Sequence, residues 1–388
     1  MHIPSQHIKE AMSAEKASLW FVPAVGNGDV AFLIKAPSLI LKSIVNGCSV
    51  ELVINVKDDL IYCAIKINDI PDSPIWISKV LQQEDDISSL IKILKYKKTP
   101  VFLFNELDIS VSWADLTINN ETHSILEKIK NARHTPLRKN KITVKAIHDY
   151  FDEININSPN LSTNELTHEF PFTCNDWYTT QNHFIGFNES KIIDIFSLDE
   201  GGNFENTIWS SLESVFPYTL YASPQVKIGD KKRELTDILA FYPNASFFIE
   251  AKDTSIFNSS PMKNMQRRTS NLHKQVKKAI DQLVGAIKAA KRGCEIYNTV
   301  GDVINPVLTH THCIVLISEM NHQGNWSDVV NKLLRASSDT GEYFHLLDLE
   351  DLIFLLKRCN SDIRLIDYNL RQRFITFVEN KSVHIKMR

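Results

Sequence analysis

Apolar positions along this chain keep two rhythms, and the change between them marks its organisation. Over residues 1–130 short β-branched runs dominate. Val50–Val56 and Leu60–Ile67 flank Lys57-Asp58-Asp59, which predicts a hairpin, and Val101–Phe104 with Ile109–Trp113 predicts a second. Between the two, Ile87, Leu90, Ile91 and Leu94 recur at helical spacing. A helix is therefore expected over Asp86–Tyr96, capped by Asp85 or Asp86, and another over Glu121–Lys130. The pattern is that of an α+β domain. Nothing in it has the spacing of a catalytic or metal site, so target binding, sensing and oligomerisation stay open as its role.

Residues 131–170 read as a connection. Arg133, Arg138, Lys139, Lys141 and Lys145 form a basic run, followed by residues 155–164, rich in Asn, Ser and Pro. An exposed linker with one helix near Ala146–Phe151 is expected, the basic run being solvated rather than bound to nucleic acid.

From Gly201 the helical rhythm takes over. Gly201-Gly202 precede Asn203, a good N-cap, and Phe204, Ile208, Leu212, Val215 and Phe216 then recur at steps of three or four, predicting an amphipathic helix. Three extended runs follow, Gln225–Ile228, Leu235–Tyr242 and Ser246–Lys252, the first two joined by a charged turn over Gly229–Glu234 and the last two by Pro243-Asn244-Ala245. Leu272–Lys291 is expected as a long helix with Val276, Ile280, Leu283, Ile287 and Ala290 on one face. Cys313–Ser318 reads as a strand buried on both faces, Trp326–Ala336 as a helix, Phe344–Leu347 as a strand and Leu349–Lys357 as a closing helix. This order predicts an α/β layer structure around a central mixed sheet. The expected division is 1–165 for the α+β domain with its linker and 166–388 for the second domain, whose core covers about 200–360.

Composition adds limits. With 43% hydrophobic and 23% charged residues, the chain can bury a core without staples. A net charge of -3 excludes a surface coated throughout for nucleic acid but leaves room for a local basic face. Six cysteines, at 48, 63, 174, 294, 313 and 359, include no Cys-x-x-Cys pair, the pattern of reduced thiols. No segment reaches the roughly 20 apolar residues of a membrane span, and the first residues lack the apolar centre of a signal peptide. A cytoplasmic protein that does not engage a membrane is expected.

The chemistry concentrates on one strand. Residues two apart on a strand share a face, so Glu250 and Lys252 point together while Ile249 and Ala251 turn toward packed helices. Charges ending an apolar run are costly unless paired or metal-bound. Asp237 lies near the start of the preceding run, and a hairpin would bring its carboxylate beside Glu250. Two close carboxylates suit Mg²⁺, with Mn²⁺ as a substitute. Such an ion lowers the pKa of its water and neutralises charge on a phosphorus centre. Lys252 would orient that water or bind phosphate, and a partly buried lysine beside a metal is expected to have a depressed pKa that lets it help deprotonate the water.

Asp237…Glu250-Ala251-Lys252 on consecutive strands after a helix resembles the PD-(D/E)xK nuclease superfamily, the restriction-endonuclease-like fold, in its Mrr-like form. The resemblance implies a C-terminal restriction-endonuclease-like domain, a central mixed β-sheet flanked by helices, behind the α+β N-terminal domain. It implies Asp237, Glu250 and Lys252 as the catalytic set, with Asp237, Glu250 and Glu205 as metal ligands and Glu213 as the alternative to Glu205. Gln275 and Gln282 match a glutamine that many relatives place near the active site, and the segment HLLDLEDLIFLL at 345–356 looks like the Mrr-like ending. Lys263, Arg267, Arg268, Lys274, Lys277 and Lys278 adjoin the same helix and are the candidate nucleic-acid contacts. Thr236 stands where the family has proline. The implied activity is Mg²⁺-dependent hydrolysis of phosphodiester bonds, with DNA expected before RNA, in a bacterial defence setting. A homodimer, or assembly through the N-terminal domain, is the expected higher-order state. The alternative is a catalytically silent nucleic-acid-binding or assembly module on the same fold.

Glu-x-Lys alone is a weak signal, because about one arises by chance in a chain this long. It occurs three times, at 189/191, 250/252 and 379/381, and Asp176 precedes the first at the same offset as Asp237 precedes Glu250. Glu189–Lys191 and Glu379–Lys381 read as turns, and only Glu250 ends an apolar strand. His310, His312 and Cys313 have no second cluster with matching spacing and read as ordinary strand residues. There is no Walker loop and no Gly-rich dinucleotide fingerprint.

Overall fold

The computed structural model describes residues 4–24, 29–57, 59–69, 74–133, 167–187, 189–253, 265–320 and 325–385, with backbone alone for 265–269. They form two compact units, Met1–Thr180 and Gln181–Arg388. Each is a mixed α/β structure.

The first unit opens with α1 (Gln6–Ala14), β1 (Ser18–Pro23), β2 (Val30–Lys35), α2 (Ser38–Val45), β3 (Ser49–Lys57), β4 (Leu60–Asn68) and β5 (Ile75–Leu81). It continues with α3 (Glu84–Tyr96), β6 (Lys98–Phe104), β7 (Ser110–Ile118), α4 (His123–Arg133), β8 (Thr167–Cys174) and β9 (Tyr178–Thr179). The strands make one sheet in the order β1-β2-β6-β7-β8-β3-β4-β5, with β9 beside β7. Only β2 and β6 pair in parallel. Both expected hairpins are present as β3–β4 and β6–β7. The expected boundary at 165/166 is displaced: residues 167–180 belong to this unit because β8 bridges β3 and β7, a long-range pairing with no local sequence signature. The cap of α3 also differs. Gln83 holds that position, while Asp86 is buried against Lys79 at 2.8 Å, tied to tertiary structure rather than to the helix end. The helix expected near 146–151 and most of the basic run lie outside the described residues.

The second unit begins with a hairpin, β10 (Asn182–Ile185) and β11 (Ser190–Ile193), then α5 (Glu200–Leu212), β12 (Leu220–Ala222), β13 (Gln225–Ile228), β14 (Lys231–Glu234), β15 (Ile238–Tyr242) and β16 (Ala245–Lys252). Next come α6 (Met265–Lys291), β17 (Ile296–Tyr297), β18 (Val303–Ile304), β19 (Thr311–Ile317), α7 (Ser327–Thr340), β20 (Tyr343–Asp348), α8 (Leu349–Arg358) and α9 (Ile363–Asn380). The main sheet has the order β12-β15-β16-β19-β20, antiparallel as far as β16 and parallel from β16 to β20. A smaller sheet, β14-β13-β17-β18, is antiparallel throughout.

Period decides which face each helix covers. Leu272, Val276, Ile280, Leu283 and Ile287 of α6 pack on Leu239, Phe248, Cys313, Val315 and Phe344, alternate residues of adjacent strands, with α7 adding Val329 and Leu333. Each of these large side chains contributes about 1.5–3 kcal/mol by leaving water. The opposite face meets polar as well as apolar partners. His312, fully buried, stacks on Phe247 and Tyr343 and lies 3.0 Å from an Asp367 carboxylate oxygen and 3.1 Å from His345. Asp367 also accepts the Tyr242 hydroxyl at 2.5 Å and Arg371 at 2.9 Å, which fastens α9 across the sheet.

Three expectations from sequence are corrected here. The charged turn over Gly229–Glu234 contains a strand, β14, paired residue by residue with β13. Glu379 and Asn380 end α9, with Lys381 in the left-handed conformation after them, rather than forming a hairpin turn. Asn203 is inside α5, whose cap is Asp199. The Asp199 side chain accepts the Gly202 N–H at 2.9 Å, and Asn203 instead accepts the Asp194 N–H. Among the described residues no helix is long and apolar enough to cross a membrane, and the six cysteines are free thiols.

Candidate active site

The β15–β16 hairpin turns on Pro243 and Asn244 with Tyr242 opposite Ala245, and its register carries back to Ile238 opposite Ile249. One residue further out, Asp237 therefore meets Glu250. Thr236, 1% exposed, donates to the Ile249 carbonyl at 2.7 Å and locks the chain just before that point. A proline there would remove no buried bond of its own, but it could not make this one. Asp237 in turn accepts the Ala251 N–H at 2.7 Å, so its carboxylate is held by backbone before any side chain is counted.

Lys252 brings the two acids together. Its ammonium lies 2.9 Å from Glu250 Oε2 and 3.3 Å from Asp237 Oδ2, so the two carboxylate oxygens are no further apart than the sum of those distances. Two oxygens bound to one Mg²⁺ stand at most about 4.2 Å apart, a tighter spacing than that upper bound by itself guarantees. Glu250 is 2% exposed, since Phe248 on its own strand face sits in the α6 core and Ile249 and Ala251 are buried on the other. Burial, and then the Asp237 charge, push its carboxyl up to about 7 against the pull of Lys252 and with a further push from Glu234. Glu205, one helix away on α5, rises to about 7 for the same first two reasons, burial and Asp237, again with Glu234 adding to the effect. The four acids therefore share one field.

Lys252 departs from expectation. Burial works against its ammonium, but Asp237 and Glu250 outweigh burial and hold its pKa above the ordinary lysine value rather than below it. It is a fixed cation, suited to orienting water or binding a phosphate oxygen and unsuited to accepting a proton near neutrality.

The chain matches no family model, no curated protein and no solved structure. What the site can do is read from its own side chains.

Asp237, Glu250, Lys252 and Glu205 are brought together; the remaining candidates are not. Glu213 caps the far end of α5, eight residues and roughly 12 Å of helix from Glu205, and accepts the Phe187 N–H at 3.0 Å. On α6, Gln275 is half-buried and Gln282 is exposed, and neither hydrogen-bonds to the acidic cluster. Lys274 and Lys278 are exposed, and Lys277 stands 4.0 Å from Asp328. Lys263 and the side chains of Arg267 and Arg268 lie outside the described residues. Among the described residues no three His, Cys, Asp or Glu side chains form a ready-made ligand group, and the Lys252 ammonium pairs with both Asp237 and Glu250. Glu234 has no role in the sequence reading, and Thr236 enters it only as the residue in place of the family's proline, with no bond assigned to it. For Glu234 the signal is its place three residues before Asp237, which gains meaning once β14 is recognised as a strand.

Proposed function

We propose that the second unit is a Mg²⁺-dependent nuclease domain of the restriction-endonuclease-like kind, acting on DNA in preference to RNA. The observation that carries this reading is the convergence of Asp237, Glu250 and Lys252 at the strand ends of the β15–β16 hairpin, in the middle of the sheet, with Glu205 electrostatically coupled to them. The donor set fits a hard divalent ion: oxygen ligands only, and two acids whose carboxyls are raised first by burial and then by the Asp237 charge, surroundings that a bound cation would offset. Asp237 and Glu250 would hold the ion, with Glu205 as an outer ligand. When bound, the ion would supply an acidified water and charge neutralisation at phosphorus.

This chain's own residues account for the rest. Asp237 is oriented by the Ala251 N–H and Thr236 by the Ile249 carbonyl, so the acid does not have to be organised at the moment of reaction. Lys252, fixed as an ammonium, would neutralise a non-bridging phosphate oxygen or orient the attacking water. As that water's oxygen bonds to phosphorus and the bond to the leaving sugar oxygen breaks, the water's proton would pass to an acid of the cluster or to solvent, and the leaving oxygen would take a proton from solvent. Plasmid, linear and single-stranded substrates incubated with Mg²⁺ or Mn²⁺ test the proposal. Cleavage by wild type should fall by at least about a hundredfold in Glu250→Gln and in Lys252→Ala, the size of effect removal of one electrostatic group has. Undiminished cleavage by a folded Lys252→Ala protein would refute the assignment.

A second reading is favoured by one feature. Lys252 already pairs with both carboxylates and offsets one of their two charges, an arrangement that holds the acids together without a metal ion, as a silent nucleic-acid-binding or assembly module would. Calorimetry separates the two: no Mg²⁺ or Mn²⁺ binding with retained DNA binding is the mark of the silent module.

A further inference from the structure

The β13–β14 hairpin presents four cations at close quarters. Lys227, Lys231, Lys232 and Arg233 are all exposed, and β14 is the edge strand of its sheet. Lys227 and Lys232 stand directly opposite each other in the antiparallel register, a like-charge cross-strand pair that costs stability in the free protein. Val226 faces Arg233 and Ile228 faces Lys231, so the other two cations lie on the opposite side of the ribbon. The acids of the hairpin itself are Asp230 in the turn and Glu234 at the strand end, and none of the four cations forms an ion pair with a described residue. Lys232 lies 3.7 Å from the ring centre of Tyr297 on the neighbouring β17, which props its ammonium on an aromatic face. Val226, 2% exposed, anchors the ribbon in the α6 core, so the charges are displayed from a rigid base.

Position gives this patch its meaning. Glu234 ends β14 three residues before Asp237, no more than about 10 Å of chain, and it already acts on Glu205 and Glu250. We propose that the edge of β14, with Lys227, Lys231, Lys232 and Arg233, binds the phosphate backbone of a nucleic-acid duplex and leads it to the acidic cluster. The proposal rests on the nuclease reading and names its substrate-binding surface. An edge strand suits the task, since its outward N–H groups add neutral donors to the four cations. A polyanion laid along it relieves the Lys227–Lys232 repulsion, a gain that scattered surface lysines do not offer.

The test uses the full chain, in chelator, with a labelled DNA duplex of about 30 base pairs and salt varied over roughly 50–200 mM. The variant changes Lys227, Lys231, Lys232 and Arg233 to Gln, and a companion changes the three lysines to Arg. Thermal melts report folding of both. Expected is a fall in the salt slope of binding by about three to four and at least about a tenfold loss of affinity for the Gln variant, with the Arg variant near wild type. Cleavage in Mg²⁺ should fall in parallel. Equal affinity, slope and cleavage for the Gln variant overturn the proposal and leave the nuclease reading intact. Unchanged affinity with new self-association overturns it in favour of charges that merely keep the edge strand from pairing. A wild type that neither binds nor cuts removes both readings together.

Discussion

Glu250 holds a carboxyl where the strand offers it almost no water, and that position has a consequence for stability as well as for chemistry. Burial and the neighbouring Asp237 raise its pKa to about 7, so the folded chain binds a proton that the unfolded chain releases near the ordinary carboxylate value of 4.5. Between those two values the native state carries more protons than the unfolded one. Its stability therefore falls as pH rises from about 4.5 through 7, and the penalty is fully developed above 7. Each pH unit in that window is worth about 1.4 kcal/mol, which puts the penalty on the order of 3–4 kcal/mol. Glu250→Gln removes the charge and keeps the shape. Its melting temperature relative to wild type should therefore be higher at pH 8 than at pH 5 by several degrees, the scale set by roughly 2–4 °C per kcal/mol in a unit of this size. Melts at the two pH values decide it, and an identical offset at both would show that Glu250 is not strained by its surroundings.

Among the elements, α5 matters most because it delivers Glu205, and its first turn is built unusually tightly. Asp199 accepts from Gly202, and a Cβ on Gly202 would come within 2.3 Å of the Asp199 carboxylate. A side chain there would make the Asp199 carboxylate turn aside from its cap geometry. Gly202→Ala should cost about 1–2 kcal/mol, the value of a lost N-cap, and should lower cleavage further than this by letting the turn that precedes Glu205 drift; calorimetric melts and a cleavage assay read the two effects separately. A variant as stable and active as wild type would show that the cap contributes to neither. The sequence had pointed to the same helix from its apolar period, because Phe204, Ile208 and Leu212 bury a stripe that any reading of the spacing finds. It misplaced the cap because Asn203 and Asp199 are equally good cap residues, and only the Asp194 N–H, brought in by the preceding hairpin, decides which side chain is free to serve. Strand β14 was missed for a related reason. Lys231-Lys232-Arg233-Glu234 has no apolar alternation, and it is extended only because β13 offers it a ladder.

At the scale of the whole chain, local periodicity carried the second unit well and its limits poorly. The strong apolar patterns over 235–242, 246–252, 272–291 and 313–318 each have their element, shifted at one end or both to 238–242, 245–252, 265–291 and 311–317. The convergence of Asp237 with Glu250 followed from a two-residue turn and strand parity. The buried His312–Asp367 contact was out of reach, since its partners are 55 positions apart and neither has a local reason to be polar in a core. The unit boundary was equally out of reach, being set by β8 crossing to β3 and β7. That boundary makes a prediction of its own. The β10–β11 hairpin belongs to the second unit because Asn206 donates to the Ile192 carbonyl at 3.1 Å, Phe187 donates to Glu213 at 3.0 Å, and Gly186 lies so close to Trp209 that a Cβ would meet the ring at 2.5 Å. A fragment covering 181–388 keeps these contacts, its own core and the Asp199 cap. A fragment beginning at 200 loses the hairpin and the cap together, which removes the Asn206–Ile192, Phe187–Glu213, Asp194–Asn203 and Gly202–Asp199 hydrogen bonds, at roughly 1 kcal/mol each. The longer fragment should unfold in one cooperative transition, and the shorter should melt on the order of 10 °C lower. If the longer fragment shows no cooperative transition by circular dichroism, the second unit does not have a self-sufficient core. If it folds and cuts nucleic acid while the full chain does not, residues 1–180 hold the site in check, and the sensing role left open for them by their sequence becomes the one to pursue.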